Sequence, residues 1–172
     1  MKEKYLLTIK ADYVPSLMGR ILAMLTRRRL VIESATMAKT DVNTVVLISI
    51  ELIIATGDIT NLQLQLEKII EVLTADVRLC DTILMQKLAF YKLSNTILQI
   101  PQGDAIHKYG AQIVNIYPDS FVISKSGNEK VINELYCKLE GKYLLGFAQT
   151  GSVGDTPLLE SNDEWRIIGL AA

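Results

Sequence analysis

Few side chains in this sequence are suited to bond-making chemistry. His107 is the sole histidine, and no cysteine, carboxylate or second histidine stands at a spacing that would make it half of a nucleophile–base pair. It precedes Lys108 and Tyr109 near an expected helix end, where an imidazolium or a simple surface residue is unremarkable. Cys80 and Cys137 are the only cysteines and lack metal-ligand spacing, so they are expected to be reduced, mostly buried thiols. The stretch Gly151-Ser152-Val153-Gly154 lacks the spacing and the strand-to-helix context of a phosphate loop. Asp155 and the Asp163-Glu164 pair read as solvated loop charges. No catalytic residue and no metal site are expected. The pattern suits a protein that binds and transmits.

Binding chemistry is better represented. Between a first strand over residues 5–10 and a first helix lies Asp12-Tyr13-Val14-Pro15-Ser16-Leu17. A helix start presents unpaired N–H groups and partial positive charge, which suits a carboxylate. Pro15 fits the first turn, with Asp12 or a neighbour as cap. Leu17, Met18, Ile21, Leu22, Met24 and Leu25 form an apolar stripe at helical spacing. The triplet Arg27-Arg28-Arg29 closes the helix where cations complement its negative end, as a solvated terminus or as a patch for a partner.

Composition sets the outer limits. The chain has 172 residues, 49% hydrophobic and 22% charged, with a formal net charge of −1. It is globular, with room for one large domain or two small ones. The absence of a basic excess disfavours nucleic acid. The longest apolar run, residues 45–55, is interrupted by Ser49 and Glu51 and is too short to span a bilayer. The opening Met-Lys-Glu-Lys-Tyr runs directly into a strand pattern, so a cytoplasmic protein is expected.

The remaining elements follow from periodicity. Residues 31–37 form a second strand, and residues 42–55, rich in β-branched types, a third that is apolar on both faces. A turn at Thr56-Gly57-Asp58 precedes a helix carrying Leu62, Leu66, Ile69, Ile70 and Leu73, and residues 75–80 form a fourth strand. The second half repeats the order. A strand over residues 85–93 alternates poorly, and Pro101 and Gly103 shorten any helix before Tyr109. Strands over 111–117 and 121–124, a loop at Ser126-Gly127-Asn128, a helix with Val131, Ile132, Leu135, Tyr136 and Leu139, and a strand over 143–148 complete it. The fold class is α+β, two tandem ferredoxin-like βαββαβ domains related by element order. The bare sheet face of the first needs a cover. The tail carries Trp165-Arg166-Ile167-Ile168, an edge strand or a docking segment.

Three segments carry a family resemblance. Arg28-Arg29-Leu30-Val31-Ile32-Glu33-Ser34 resembles the Arg-Gly-aromatic-Asn-Ile-Glu-Ser segment of the regulatory small subunits of acetohydroxyacid (acetolactate) synthase. Gly110 to Pro118 and Phe121 to Gly127 resemble that family's strand-Pro-strand-Gly segment. Thr150-Gly151-Ser152-Val153-Gly154 is similar to its closing Ser-Gly-x-x-Gly. The resemblance implies an ACT domain over residues 1–81, a ferredoxin-like domain over 82–154 and a tail over 155–172. It also implies a homodimer formed through the ACT sheets and a thiamine-diphosphate-dependent catalytic large subunit as partner. That partner would carry the thiamine diphosphate, Mg and FAD, and this chain no cofactor. Valine or another branched-chain amino acid is the implied feedback effector.

The resemblance places the effector site at Asp12, Tyr13, Val14, Pro15, Ser16, Leu17, Val31 and Ile32. It departs from the family there: Tyr13 stands at the family's Asn, Ser16 at its turn Gly, Val31 at its second Asn and Arg29 at another Gly. Val31 cannot hydrogen-bond an ammonium group, so effector binding is expected to be weakened, altered or lost. Arg27, Arg28, Arg29 and Glu33 are the candidate partner-binding residues. A freestanding ACT-type amino-acid sensor is the alternative function, and an enzyme built around His107 a third.

Overall fold

A computed structural model describes residues 2–155 of the chain. The expectations for Asp163, Glu164 and the strand around Trp165 concern residues outside that range. The chain divides into two compact units, Met1–Leu84 with the segment from Gly151, and Met85–Thr150.

In the first unit the order is β1 (Lys2–Asp12), α1 (Leu17–Arg27), β2 (Val31–Lys39), β3 (Val45–Ala55), α2 (Ile59–Leu66) and β4 (Val72–Leu79). The strands form an antiparallel sheet in the order β2-β3-β1-β4. Both helices cover one face. Leu17, Ile21 and Leu25 of α1 and Leu62 and Leu66 of α2 pack on Tyr5, Leu7 and Ile9 of β1 and on Val46, Ile48, Ile50, Leu52 and Ile54 of β3. Each such side chain contributes about 1.5–3 kcal/mol by leaving water, so the helical stripe and the strand alternation fix one another.

β3 departs from the expected pattern on its second face. Ser49 and Glu51 alternate with the core residues and are also buried, 4% and 0% exposed, beside Thr8 at 2%. The second face of this sheet thus carries polar Thr8, Ser49 and Glu51 beside buried Leu6 at its centre, and the expectation that β3 is apolar on both faces is corrected. Two helix boundaries also differ. α2 stops at Leu66, because the Ile69 N–H turns back to the Leu66 carbonyl (3.0 Å) and the Val72 N–H to the Ile69 carbonyl (2.9 Å). β-branched Val72 then opens β4, and Ile70, expected on the helical stripe, is 95% exposed. At the head of α1, Ser16 rather than Asp12 holds the cap position, and no side chain caps it. Asp12 is the last residue of β1.

The second unit contains β5 (Met85–Ser94), α3 (Asp104–Lys108), β6 (Gln112–Ile116), β7 (Ser120–Gly127), α4 (Glu129–Leu139) and β8 (Leu144–Gln149). Its strands follow the order β6-β7-β5-β8, the same permutation as the first unit. Two 3-10 turns, Asn95–Gln99 and Pro101–Gly103, replace most of the first helix. Gly103 is needed there, since a Cβ would stand 2.5 Å from the Ile97 carbonyl oxygen. β5 alternates strictly, with Lys87, Ala89, Tyr91 and Leu93 inward. The outward places are taken by half-exposed Leu88 and Phe90, which is why the sequence masks the period. β7 runs through Ser126 and Gly127, expected in a loop, and Asn128 caps α4 by accepting the Val131 N–H (2.9 Å).

Candidate functional site at the first turn and its strand

The turn from β1 into α1 is held by backbone bonds to neighbouring loops. The Asp12 N–H donates to the Glu71 carbonyl (2.8 Å) and the Tyr13 N–H to the Thr44 carbonyl (2.7 Å). These fix the strand end between the loops before β3 and β4. The Leu17 N–H donates to the Val14 carbonyl (3.0 Å), so that donor of the first turn is already engaged. Ser16 has φ −84° and ψ −9°, an ordinary helical geometry open to any residue. Its hydroxyl makes no capping bond.

Asp12, Tyr13, Pro15 and Ser16 are exposed, while Val14 packs on the core and Leu17 is buried. The accessible part of the turn is thus a carboxylate, a phenol, a proline ring and a hydroxyl at a positive helix end. Beside it, Arg20 of α1 makes a 2.6 Å ion pair with Glu71. The hydrogen bond from the Arg20 guanidinium, helped by a backbone bond and its charge, holds the Glu71 carboxyl below the usual range.

Val31 and Ile32 are not brought to this turn within one chain. Val31 lies opposite Ile53 and, across β3, level with Lys4. Tyr13 lies beyond the far end of β1, roughly 30 Å away at about 3.3 Å per residue. Ile32 packs on the core, whereas Val31 is 56% exposed. The two sets of effector candidates occupy opposite ends of the sheet.

The arginine triplet ends α1. Arg27 is its last residue and Arg28 its C-cap, and Arg29 has φ +56°. The Leu30 N–H donates to the Leu25 carbonyl (3.3 Å) and the Arg29 N–H to the Thr26 carbonyl (2.8 Å), which together close a Schellman motif. Such a position favours glycine, and glycine is what the resembling family carries there. Arg27 and Arg29 are exposed and Arg28 partly so. Glu33 is engaged, its Oε2 lying 2.6 Å from the Lys4 Nζ.

A second constellation lies around Glu51, and sequence reading missed it as a site. The Glu51 Oε1 accepts the Ser34 hydroxyl (2.7 Å) and the Ser152 N–H (3.1 Å), and the Oε2 lies 3.0 Å from the Lys4 Nζ. The available signal was one carboxylate inside a β-branched run, set between apolar Ile50 and Leu52.

The other candidates stay apart. His107 is exposed on α3, and Cys137 is exposed on α4 rather than buried. Cys80 is half-buried in the turn after β4, and desolvation pushes its thiol up to about 11. Among the described residues no group of His, Cys, Asp and Glu could hold a metal ion, and no helix is long and apolar enough to cross a membrane.

Comparison with known proteins agrees with the resemblance read from the motifs. Residues 86–154 match the family model described as the small subunit of acetolactate synthase. The acetolactate synthase small subunit from Thermotoga maritima has the same fold, with a TM-score of 0.80 at 17% identity over 88% of this chain and 96% of that one. The ligand-free regulatory subunit of aspartate kinase from Thermus thermophilus gives a TM-score of 0.42 at 12% identity, covering 80% of this chain and 94% of that one. An unknown protein from Galdieria sulphuraria gives 0.41 at 13%, covering 91% and 100%. No curated protein matches the sequence. Residues 86–154 thus resemble the acetolactate synthase small-subunit family, and the α+β fold of two ferredoxin-like sheets is that of the Thermotoga protein.

Proposed function

We propose that this chain is a non-catalytic regulatory subunit that activates a thiamine-diphosphate-dependent acetolactate synthase catalytic subunit in the cytoplasm. The single observation carrying this reading is the match of residues 86–154 to the small-subunit family. In this reading thiamine diphosphate, Mg and FAD are the partner's, and the chain contributes a binding surface that includes Arg27 and Arg29. The expected domains are an ACT domain over residues 1–81 and a ferredoxin-like domain over 82–154.

The effector arrangement supports a homodimer. One chain keeps Tyr13 and Ser16 past the end of β1, on the side of the sheet where β2 ends at Lys39, and Val31 at the opposite end. A second chain meeting β2 along its edge in antiparallel sense would bring the turn of one copy toward the strand start of the other. Valine or a related amino acid would then place its carboxylate at the α1 terminus. The Leu17 N–H is engaged by Val14 and Val31 offers no side-chain acceptor for the ammonium group, so binding is weak.

Reconstitution tests the proposal. The purified chain alone should not turn over pyruvate, and adding it to the large subunit should raise kcat several-fold. Calorimetry with valine, leucine and isoleucine should give dissociation constants well above micromolar. No gain in synthase activity at saturating chain would overturn the regulatory reading, and ligand-dependent stabilisation in its absence would favour a freestanding sensor. Micromolar valine binding would overturn the weakened site.

A further inference from the structure

Two of the segments that carry the family resemblance, Ile32-Glu33-Ser34 and Gly151-Ser152, are more than a hundred residues apart in sequence and meet at one buried carboxylate. The meeting depends on a local irregularity. The register of β2 against β3 shifts between Ile32 and Ser34, so Ile32 stands opposite Leu52 and Ser34 opposite Glu51. Glu33 is the extra residue of this β-bulge. A bulge re-aims side chains that strict alternation would send to opposite faces. Glu33 thereby reaches the Lys4 Nζ (2.6 Å) while Ser34 reaches the Glu51 Oε1 (2.7 Å).

Lys4 is the bridge, since its Nζ also lies 3.0 Å from the Glu51 Oε2. Glu51 is 0% exposed, and a buried carboxylate persists only where charge and hydrogen bonds compensate it. Here the compensation comes from β1 through Lys4, from β2 through Ser34 and from the incoming segment through the Ser152 N–H (3.1 Å). Gly151 brings that segment close enough. A Cβ there would lie 2.9 Å from both the Ser34 Oγ and the Thr36 Cγ2, nearer than packing allows. Ser152 itself is 2% exposed.

We propose that Glu51 is a positioning residue that fastens the bulge of β2 to Gly151-Ser152, so that a displacement of β2 at Glu33-Ser34 is transmitted to the chain at residue 152. The attachment stands on the geometry alone. Its regulatory consequence rests on the proposed function, because β2 also carries Val31 and Ile32, which the family resemblance places at the effector site, and Glu33, a candidate partner-binding residue. An event that moves the strand start must then break or re-form the Ser34 and Lys4 contacts to Glu51, and the same carboxylate holds Ser152.

Amide exchange by NMR on the full chain, without effector, tests the attachment. Ser34→Ala removes one hydroxyl and leaves the space, and Glu51→Gln removes the charge while keeping an acceptor. In both, exchange at the Ser152 amide should rise tenfold or more while the Ile9 amide of β1 keeps its rate. An unchanged Ser152 rate in Ser34→Ala overturns the attachment, and that variant decides the matter if Glu51→Gln does not fold. Synthase reconstitution tests the transmission: Ser34→Ala should reduce activation at least threefold at full binding of the catalytic subunit. Faster exchange with unchanged activation overturns transmission. Failure of the wild-type chain to activate at all sinks the regulatory reading instead, and the exchange result still decides the attachment.

Discussion

Gly151 lies so close to Ser34 that a Cβ on the glycine would stand 2.9 Å from the serine Oγ and 3.2 Å from its Cβ. The glycine is therefore required for close approach rather than for backbone freedom. Gly151→Ala should cost about 1–3 kcal/mol through overpacking. The methyl of Thr36, also 2.9 Å from the added Cβ, accounts for part of the clash, so Thr36→Ser should recover part of the loss in the double variant. Urea unfolding of the two single variants and the double one measures the coupling. Strict additivity would show that Gly151 and Thr36 do not press on one another.

Arg29 presents the opposite case, a position that wants glycine and lacks it. At φ +56° a side chain costs roughly 1–2 kcal/mol, partly offset by the larger entropy glycine has in the unfolded chain. Arg29→Gly should raise stability by about 0.5–1 kcal/mol, whereas Arg29→Ala, which keeps a Cβ, should give no gain. Thermal unfolding of the pair separates the backbone effect from loss of the arginine charge, which both variants share.

How much of this was legible in the sequence follows from which patterns are local. Leu17, Ile21 and Leu25 announce α1 because a helix repeats its inner face within one element, and Val46 to Ile54 announce β3 the same way. The end of α2 was misplaced because Ile69 and Ile70 keep the helical period after the backbone has turned away at Leu66. Alternation in β5 was obscured because Leu88 and Phe90 are apolar yet face outward. Tyr13 and Ser16 were legible as a helix start, but their separation from Val31 depends on strand register. The Glu51 constellation was illegible for the same reason: a bulge in β2 and a contact from residue 152 leave no periodic trace. Only a carboxylate misplaced among buried neighbours hinted at it.

The Arg20–Glu71 pair makes an acid-sensitive contribution next to the candidate turn. The folded Glu71 carboxyl titrates below its unfolded value because Arg20 hydrogen-bonds it. Its contribution is therefore present above the unfolded pKa, about 4.3 for Glu, and is lost as pH falls through the lower folded value. Glu71→Gln should leave a chain whose stability changes less between pH 5 and pH 3 than the wild type's. Chemical denaturation at several pH values follows the difference, and identical pH profiles would show that the pair is screened out by solvent.

Tyr91 gives the alkaline counterpart in the second unit. Its ring is fully buried, its hydroxyl donates to the Ile132 carbonyl of α4 (2.9 Å), and the Phe147 ring centroid lies 5.0 Å away. Desolvation pushes the phenol up to about 12 from its ordinary 10. The unfolded chain releases this proton first as pH rises. Stability from the neutral phenol is thus whole below pH 10 and declines between 10 and 12. Tyr91→Phe keeps the ring and removes the titration. It should cost about 0.5–1.5 kcal/mol at neutral pH for the lost hydrogen bond and flatten the alkaline limb of the stability curve. Both effects are read from denaturant midpoints at pH 7 and pH 11. A variant that loses stability at pH 11 as steeply as the wild type would place the alkaline sensitivity on some group other than Tyr91.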